Sequence, residues 1–155
     1  MLNWMNVFQS VNANNQETIL EAFNAVKMGD IEKLANLLNQ RLNPNARNNK
    51  GYTLLHMAVL ATRPANEKHM LNLMTLLVNR GADVNAIYIE DQFGPLHSAV
   101  RKKLAHVVLF LLDHHADMYL QNDHRKSAFD YALEFNDERG LEIMHHLKNR
   151  LNIKF

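Results

Sequence analysis

The sequence predicts an all-α solenoid of about four stacked helix–turn–helix repeats, and two recurring patterns carry that expectation. Three segments align: Thr53-Leu54-Leu55-His56-Met57-Ala58, Gly94-Pro95-Leu96-His97-Ser98-Ala99 and Ser127-Ala128-Phe129-Asp130-Tyr131-Ala132. The later two begin 33 residues apart, at 94 and 127, whereas the first begins 41 residues before the second. Gly81-Ala82-Asp83-Val84-Asn85-Ala86 matches His115-Ala116-Asp117-Met118-Tyr119-Leu120 and, more faintly, Arg41-Leu42-Asn43-Pro44-Asn45-Ala46. Ahead of each copy lies an aliphatic run: Leu34, Leu37, Leu38; Leu73, Leu76, Leu77; Val107, Val108, Leu111, Leu112. A unit this small cannot bury its apolar face alone, so neighbours must stack.

In chain order, residues 1–16 read as a separate N-terminal segment. Trp4, Phe8 and Val11 form one apolar stripe ahead of an Asn-rich linker, expected to fold back on the first repeat; a docking peptide is the alternative. Residues 17–155 form the repeat domain, divided near 17–48, 49–88, 89–122 and 123–155. The first unit carries Ile19, Phe23 and Val26 on one helix, then Gly29-Asp30 and the Leu34 helix. Thr53 and Ser127 suit helix N-caps, and Pro95 suits a first helical turn. Ala58, Ala99 and Ala132 keep the first helices thin. Gly81 supplies a left-handed residue after the second helix, whereas the ends at Arg41 and His115 should be somewhat strained or differently capped. The last unit is a cap, with Ile143, Leu147 and Leu151 on one helical face. About seven extra residues fall around Thr62–Lys68, between the helices of the second unit, and are expected to form a loop at the groove's edge. The turn before Gly94 also holds one residue more than its neighbours.

Both linked motifs resemble the ankyrin-repeat family, over about residues 17–155. The resemblance implies short β-hairpin loops between helix pairs and a role in binding another protein. His56 and His97 would then be hydrogen-bonding posts between repeats. A partner would meet the hairpin fingertips and the concave side of each first helix. Carried over by position, the concave side holds Lys27 and Met28, Leu60 and Ala61, Arg101 and Lys102, then Glu134 and Phe135. The fingertips hold Asn49, Lys50 and Tyr52, then Asp91 and Phe93, then Asp123, His124, Arg125 and Lys126, with Arg63 in the insertion beside them. The expected contact set is therefore Lys27, Lys50, Tyr52, Leu60, Arg63, Phe93, Arg101, Lys102, Arg125, Lys126 and Phe135. Cations interleaved with aromatics suit an acidic protein segment. Within the family, such short chains act as inhibitors or adaptors, as host-directed effectors, as relatives of NF-κB inhibitors or as toxin neutralisers. These alternatives stay open.

Composition removes several competing chemistries. With no cysteine there are no disulfides, thiolate metal sites or thiol nucleophiles, which accords with a reducing, intracellular address: the cytoplasm, or a host cytosol or nucleus. No basic stretch precedes an apolar run near Met1, and no segment has the roughly 20 apolar residues of a membrane span, so neither signal peptide nor membrane partner is expected. The nine histidines include the adjacent pairs His114-His115 and His145-His146, but helical neighbours point about 100° apart and chelate poorly together. No metal or other cofactor is expected, and no nucleophile elbow or phosphate-cradling loop is present, so catalysis is not expected. A net charge of +1 argues against nucleic acid as the main partner, leaving it as the alternative reading of the basic groove. Free, the chain should be a monomer.

Overall fold

The computed structural model describes residues 14–152. The Trp4, Phe8 and Val11 stripe lies outside that range. Among the described residues there are eight α-helices and no strand beyond an isolated antiparallel bridge between Arg47 and Thr53. They are α1 (Gln16–Met28), α2 (Ile31–Asn39), α3 (Leu54–Ala61), α4 (Glu67–Asn79), α5 (Pro95–Arg101), α6 (Ala105–Asp113), α7 (Ala128–Leu133) and α8 (Glu138–Asn152). The odd-numbered helices pack in one row and the even-numbered helices in a second.

Local chemistry starts the helices as expected at Thr53 and Ser127, and Asn15, read as linker, caps α1 in the same way. Asn15, Thr53 and Ser127 accept hydrogen bonds from the backbone N–H three residues on, at 2.8, 3.2 and 3.2 Å. Pro95 opens α5. Ala25, Ala58, Ala99 and Ala132 occupy one register position, each at most 3% exposed, so the first helices approach closely. The leucines of the second helices fill the space between rows: Leu34, Leu73 and Leu111 are fully buried. In the last unit Ile143 and Leu147 do the same, and Leu151 packs beside them.

Two polar ladders join successive units. His56 Nε2–H donates to the Phe93 carbonyl at 3.0 Å, and His97 Nε2–H donates to the Lys126 carbonyl at 3.2 Å. Because a carbonyl only accepts, each imidazole carries its proton on Nε2, and Nδ1 accepts from the backbone N–H of Thr53 or Gly94. The second ladder runs along the turns after the second helices. Asn45 accepts from the Asp83 N–H at 2.7 Å and donates to the Gly81 carbonyl at 3.0 Å. Asn85 does the same to Asp117 and His115, and Asn14 to Asn43 and Arg41. The histidine ladder ends where Asp130 of the fourth unit replaces the histidine, and the asparagine ladder ends where Tyr119 of the third unit replaces the asparagine.

Gly81 is left-handed with φ 98°, and Arg41 and His115 adopt the same conformation at 70° and 68°. A non-glycine residue there is strained, typically by about 1 kcal/mol.

The insertion differs from expectation. It is not a loop: Thr62 is buried and its hydroxyl donates to the Ala58 carbonyl at 2.7 Å, after which Pro64–Asn66 make a 3₁₀ turn. Glu67 and Lys68 already belong to α4, which has 13 residues where α2 and α6 have nine. Asn66 ties the turn down, accepting from the Arg63 N–H at 2.7 Å and donating to the Ala61 carbonyl. The extra residues therefore lengthen a helix and hold Arg63 at the end of α3.

The extra residue before Gly94 widens a turn. Asn48–Tyr52 and Asn122–Lys126 close with an N–H three residues on (Gly51 to Asn48, Arg125 to Asn122), whereas Gln92 reaches back four residues to Tyr88. Phe93 thus stands where Tyr52 and Lys126 stand in their hairpins.

Candidate protein-binding groove

A groove runs between α1, the Asn48–Tyr52 hairpin, α3 and the 3₁₀ turn. It consists of two adjoining depressions of about 560 and 370 Å³ that share Lys27 and Met57. Ile19, Leu20, Phe23, Tyr52 and Met57 floor the larger part, and Leu60 and Ala61 floor the smaller. Lys27, Arg47, Lys50 and Arg63 line it, together with amides and no carboxylate. Leu20 stands 60% exposed here, a surface that water solvates poorly.

Arg47 is partly committed, donating to the Gly51 and Ile87 carbonyls at 2.7 Å each and so bracing the hairpin against its neighbour. No carboxylate of the described residues pairs with Lys27, Lys50 or Arg63. Lys102 reaches across from the end of α5 to donate to the Leu60 carbonyl at 2.6 Å, capping α3. Partial burial holds its ammonium below the usual lysine range, and the nearby Arg63 charge pushes the same way.

The expected contact set divides. Lys27, Lys50, Arg63 and exposed Leu60 lie along this groove, with Tyr52, whose ring is stacked on Tyr88 at 4.1 Å and 8°. Four other expected residues are committed within the fold. Phe93 is 8% exposed, so its ring offers a partner almost nothing. It is packed against His97 and Tyr131, and the Arg101 guanidinium lies over it at 5.1 Å. Arg101 also sits 5.7 Å from the Tyr131 ring. Lys126 is half-buried, ion-paired with Glu134 and 5.3 Å from the Tyr131 centroid. Phe135 is half-buried under Lys103, whose ammonium is 4.8 Å from its ring and pairs with Asp137. Arg125 is exposed on the Asn122–Lys126 hairpin, left-handed at φ 56°.

Sequence reasoning missed Leu20, Met57 and Asn66 as groove residues. Leu20 had a signal: beside core Ile19 it widens the apolar stripe of α1 beyond what one buried face uses. Asn66 had none, because its role depends on the 3₁₀ turn.

Among the described residues no helix is long and apolar enough to cross a membrane, and no cluster of three or more metal-ligating side chains occurs. Residues 22–122 match the family model for ankyrin repeats in three copies. Two viral proteins are similar over most of the chain. An ankyrin repeat protein of Fowlpox virus (strain NVSL) is 28% identical over 127 residues, covering 82% of this chain and 15% of the relative. An ankyrin repeat protein of Acanthamoeba polyphaga mimivirus is 24% identical over 170 aligned positions, covering 93% and 22%. The chain thus spans less than a quarter of the length of these relatives. With helix pairs, hairpins, histidine posts and the matched repeats all in register, this chain belongs to the ankyrin-repeat family.

Proposed function

We propose that the chain acts by occupying the surface of another protein, as an inhibitor or adaptor. Ankyrin repeats are generally protein–protein interaction modules, and the family is typically non-enzymatic. The observation that carries the reading here is the groove along α1 and α3, with an apolar floor and cations that no carboxylate of the described residues neutralises. Such a surface is stable when covered by complementary protein. The viral relatives support a host cytosol or nucleus as the place of action.

The test is affinity capture from host-cell extract by the intact chain, beside a Leu20→Asp/Lys50→Glu variant with an unchanged melting curve. A protein retained by the wild type and lost by the variant supports the reading. Equal retention of every protein by both, or retention of nucleic acid alone with a steep salt dependence, removes it.

A further inference from the structure

We infer that the groove of repeats one and two is built for an acidic amphipathic segment of another protein, its apolar side on Leu20 and Met57 and its carboxylates toward Lys27 and Arg63. This rests on the protein-binding role proposed above and narrows it to a partner chemistry and to one half of the molecule.

Charge complementarity argues for the segment's acidity. Lys27 borders both depressions, Lys50 stands at the hairpin end and Arg63 at the insertion end, and no carboxylate lines either part. Lys102 adds positive charge beside Arg63, one of its N–H groups committed to the Leu60 carbonyl. On the other half Arg125 alone of the expected cations stands exposed without such a partner, since Arg101 covers Phe93 and Lys126 and Lys103 pair with Glu134 and Asp137.

The apolar floor argues for a protein segment over nucleic acid. Leu20 and Met57 offer no donor to a phosphate, and one face of the Tyr52 ring is already taken by Tyr88. An amphipathic chain matches both features at once: its apolar residues leave water on the floor, while its carboxylates meet cations at the rim. The floor would supply most of the affinity and the rim the selectivity and the rate of encounter.

The probe is a fluorescein-labelled 15-residue peptide with Leu and Phe along one helical face and Glu on the other. A counterpart carries Lys in place of Glu. Both are titrated with the full chain and read by anisotropy. Saturable binding of the Glu peptide is expected, with the Lys peptide at least about tenfold weaker. Lys27→Glu/Arg63→Glu should weaken the Glu peptide by about tenfold or more with an unchanged melting curve, since neither side chain is paired in the fold. Arg101→Glu/Arg125→Glu should change affinity less than about threefold.

The inference is overturned by no saturable binding of the Glu peptide, by equal binding of the Lys peptide, by loss through Arg101→Glu/Arg125→Glu alone, or by about tenfold tighter binding by Trp4→Ala/Phe8→Ala. The last would assign the groove to the chain's own first residues. A second copy as occupant would appear as self-association in sedimentation that the Glu peptide does not compete away, which also overturns it. If the peptide fails while host-protein capture still depends on Leu20 and Lys50, the protein-binding reading stands and the acidic partner falls.

Discussion

Both halves of the solenoid carry cations near their first helices and hairpins and, Arg125 apart, use them differently. In repeats one and two, Lys27, Lys50 and Arg63 stand over an apolar groove without carboxylate partners. In repeats three and four, Arg101 lies over Phe93 and Tyr131, Lys103 over Phe135 and Lys126 beside Tyr131. Aromatic faces and the carboxylates of Glu134 and Asp137 absorb the charge that a partner would otherwise meet. A basic composition along a repeat array is therefore no guide to where it binds. What decides is whether each cation already has a ring or a carboxylate within reach.

The comparison breaks first if the halves do not share one core. Leu73→Ala in α4 and Leu111→Ala in α6 each remove a fully buried side chain and should each cost about 2–5 kcal/mol in urea titration. Two separate unfolding transitions in either variant would mean that the halves fold independently.

The seam between the halves is titratable. His56 of the second unit holds the Phe93 carbonyl of the third, and burial lowers its pKa from 6.5 to about 4. Between those values the unfolded chain binds the extra proton, so its stabilising effect is complete above about pH 6.5. It is lost as pH falls toward 4, by about 3 kcal/mol in all. His97 is shifted downward by the same cause and adds in the same direction. Melting curves between pH 7 and 4 should show this slope, and His56→Gln should flatten it. A flat wild-type profile would mean that the post is not buried in solution.

Two smaller effects separate the halves directly. A Cβ at Gly140, in the first turn of α8, would come within 2.2 Å of the Phe135 Cβ. Gly140→Ala should therefore cost about 1–3 kcal/mol by thermal or urea melting, because that contact joins backbone-anchored atoms with little room to move. Arg101→Ala should cost about 0.5–1 kcal/mol through its lost ring contacts, whereas Arg63→Ala should cost less than about 0.5 kcal/mol. Equal costs, measured by calorimetry, would erase the distinction between a committed and an available cation.

How much of this was readable from residues alone depends on the range of each interaction. Thr53, Ser127 and Pro95 act within one helical turn, so their capping roles follow from residue type and position. The buried alanines at one register position and Gly81 are legible for the same reason: repetition reveals the site, and sterics supply the cause. The groove's rim was partly legible, since Lys27 and Lys50 follow from the repeat register and Arg63 from the counted insertion. The fate of Arg101 and Phe93 was not, because it turns on Tyr131, about 30 residues along the chain. The insertion could be counted but not shaped. Its 3₁₀ turn depends on Thr62 and Asn66 reaching backbone carbonyls of α3, and length alone carries no trace of that.

Hydrogen exchange of the full chain with and without the Glu peptide, read by mass spectrometry, tests most directly whether binding belongs to repeats one and two. Slowed exchange should fall on α1 near Ile19–Met28 and on the stretch from Asn48 through Arg63, with α5, α7 and the Asn122–Lys126 hairpin unchanged. Protection confined to residues 101–135 would contradict the account, because it would place the partner where Arg101, Lys103 and Lys126 are already held by the protein itself.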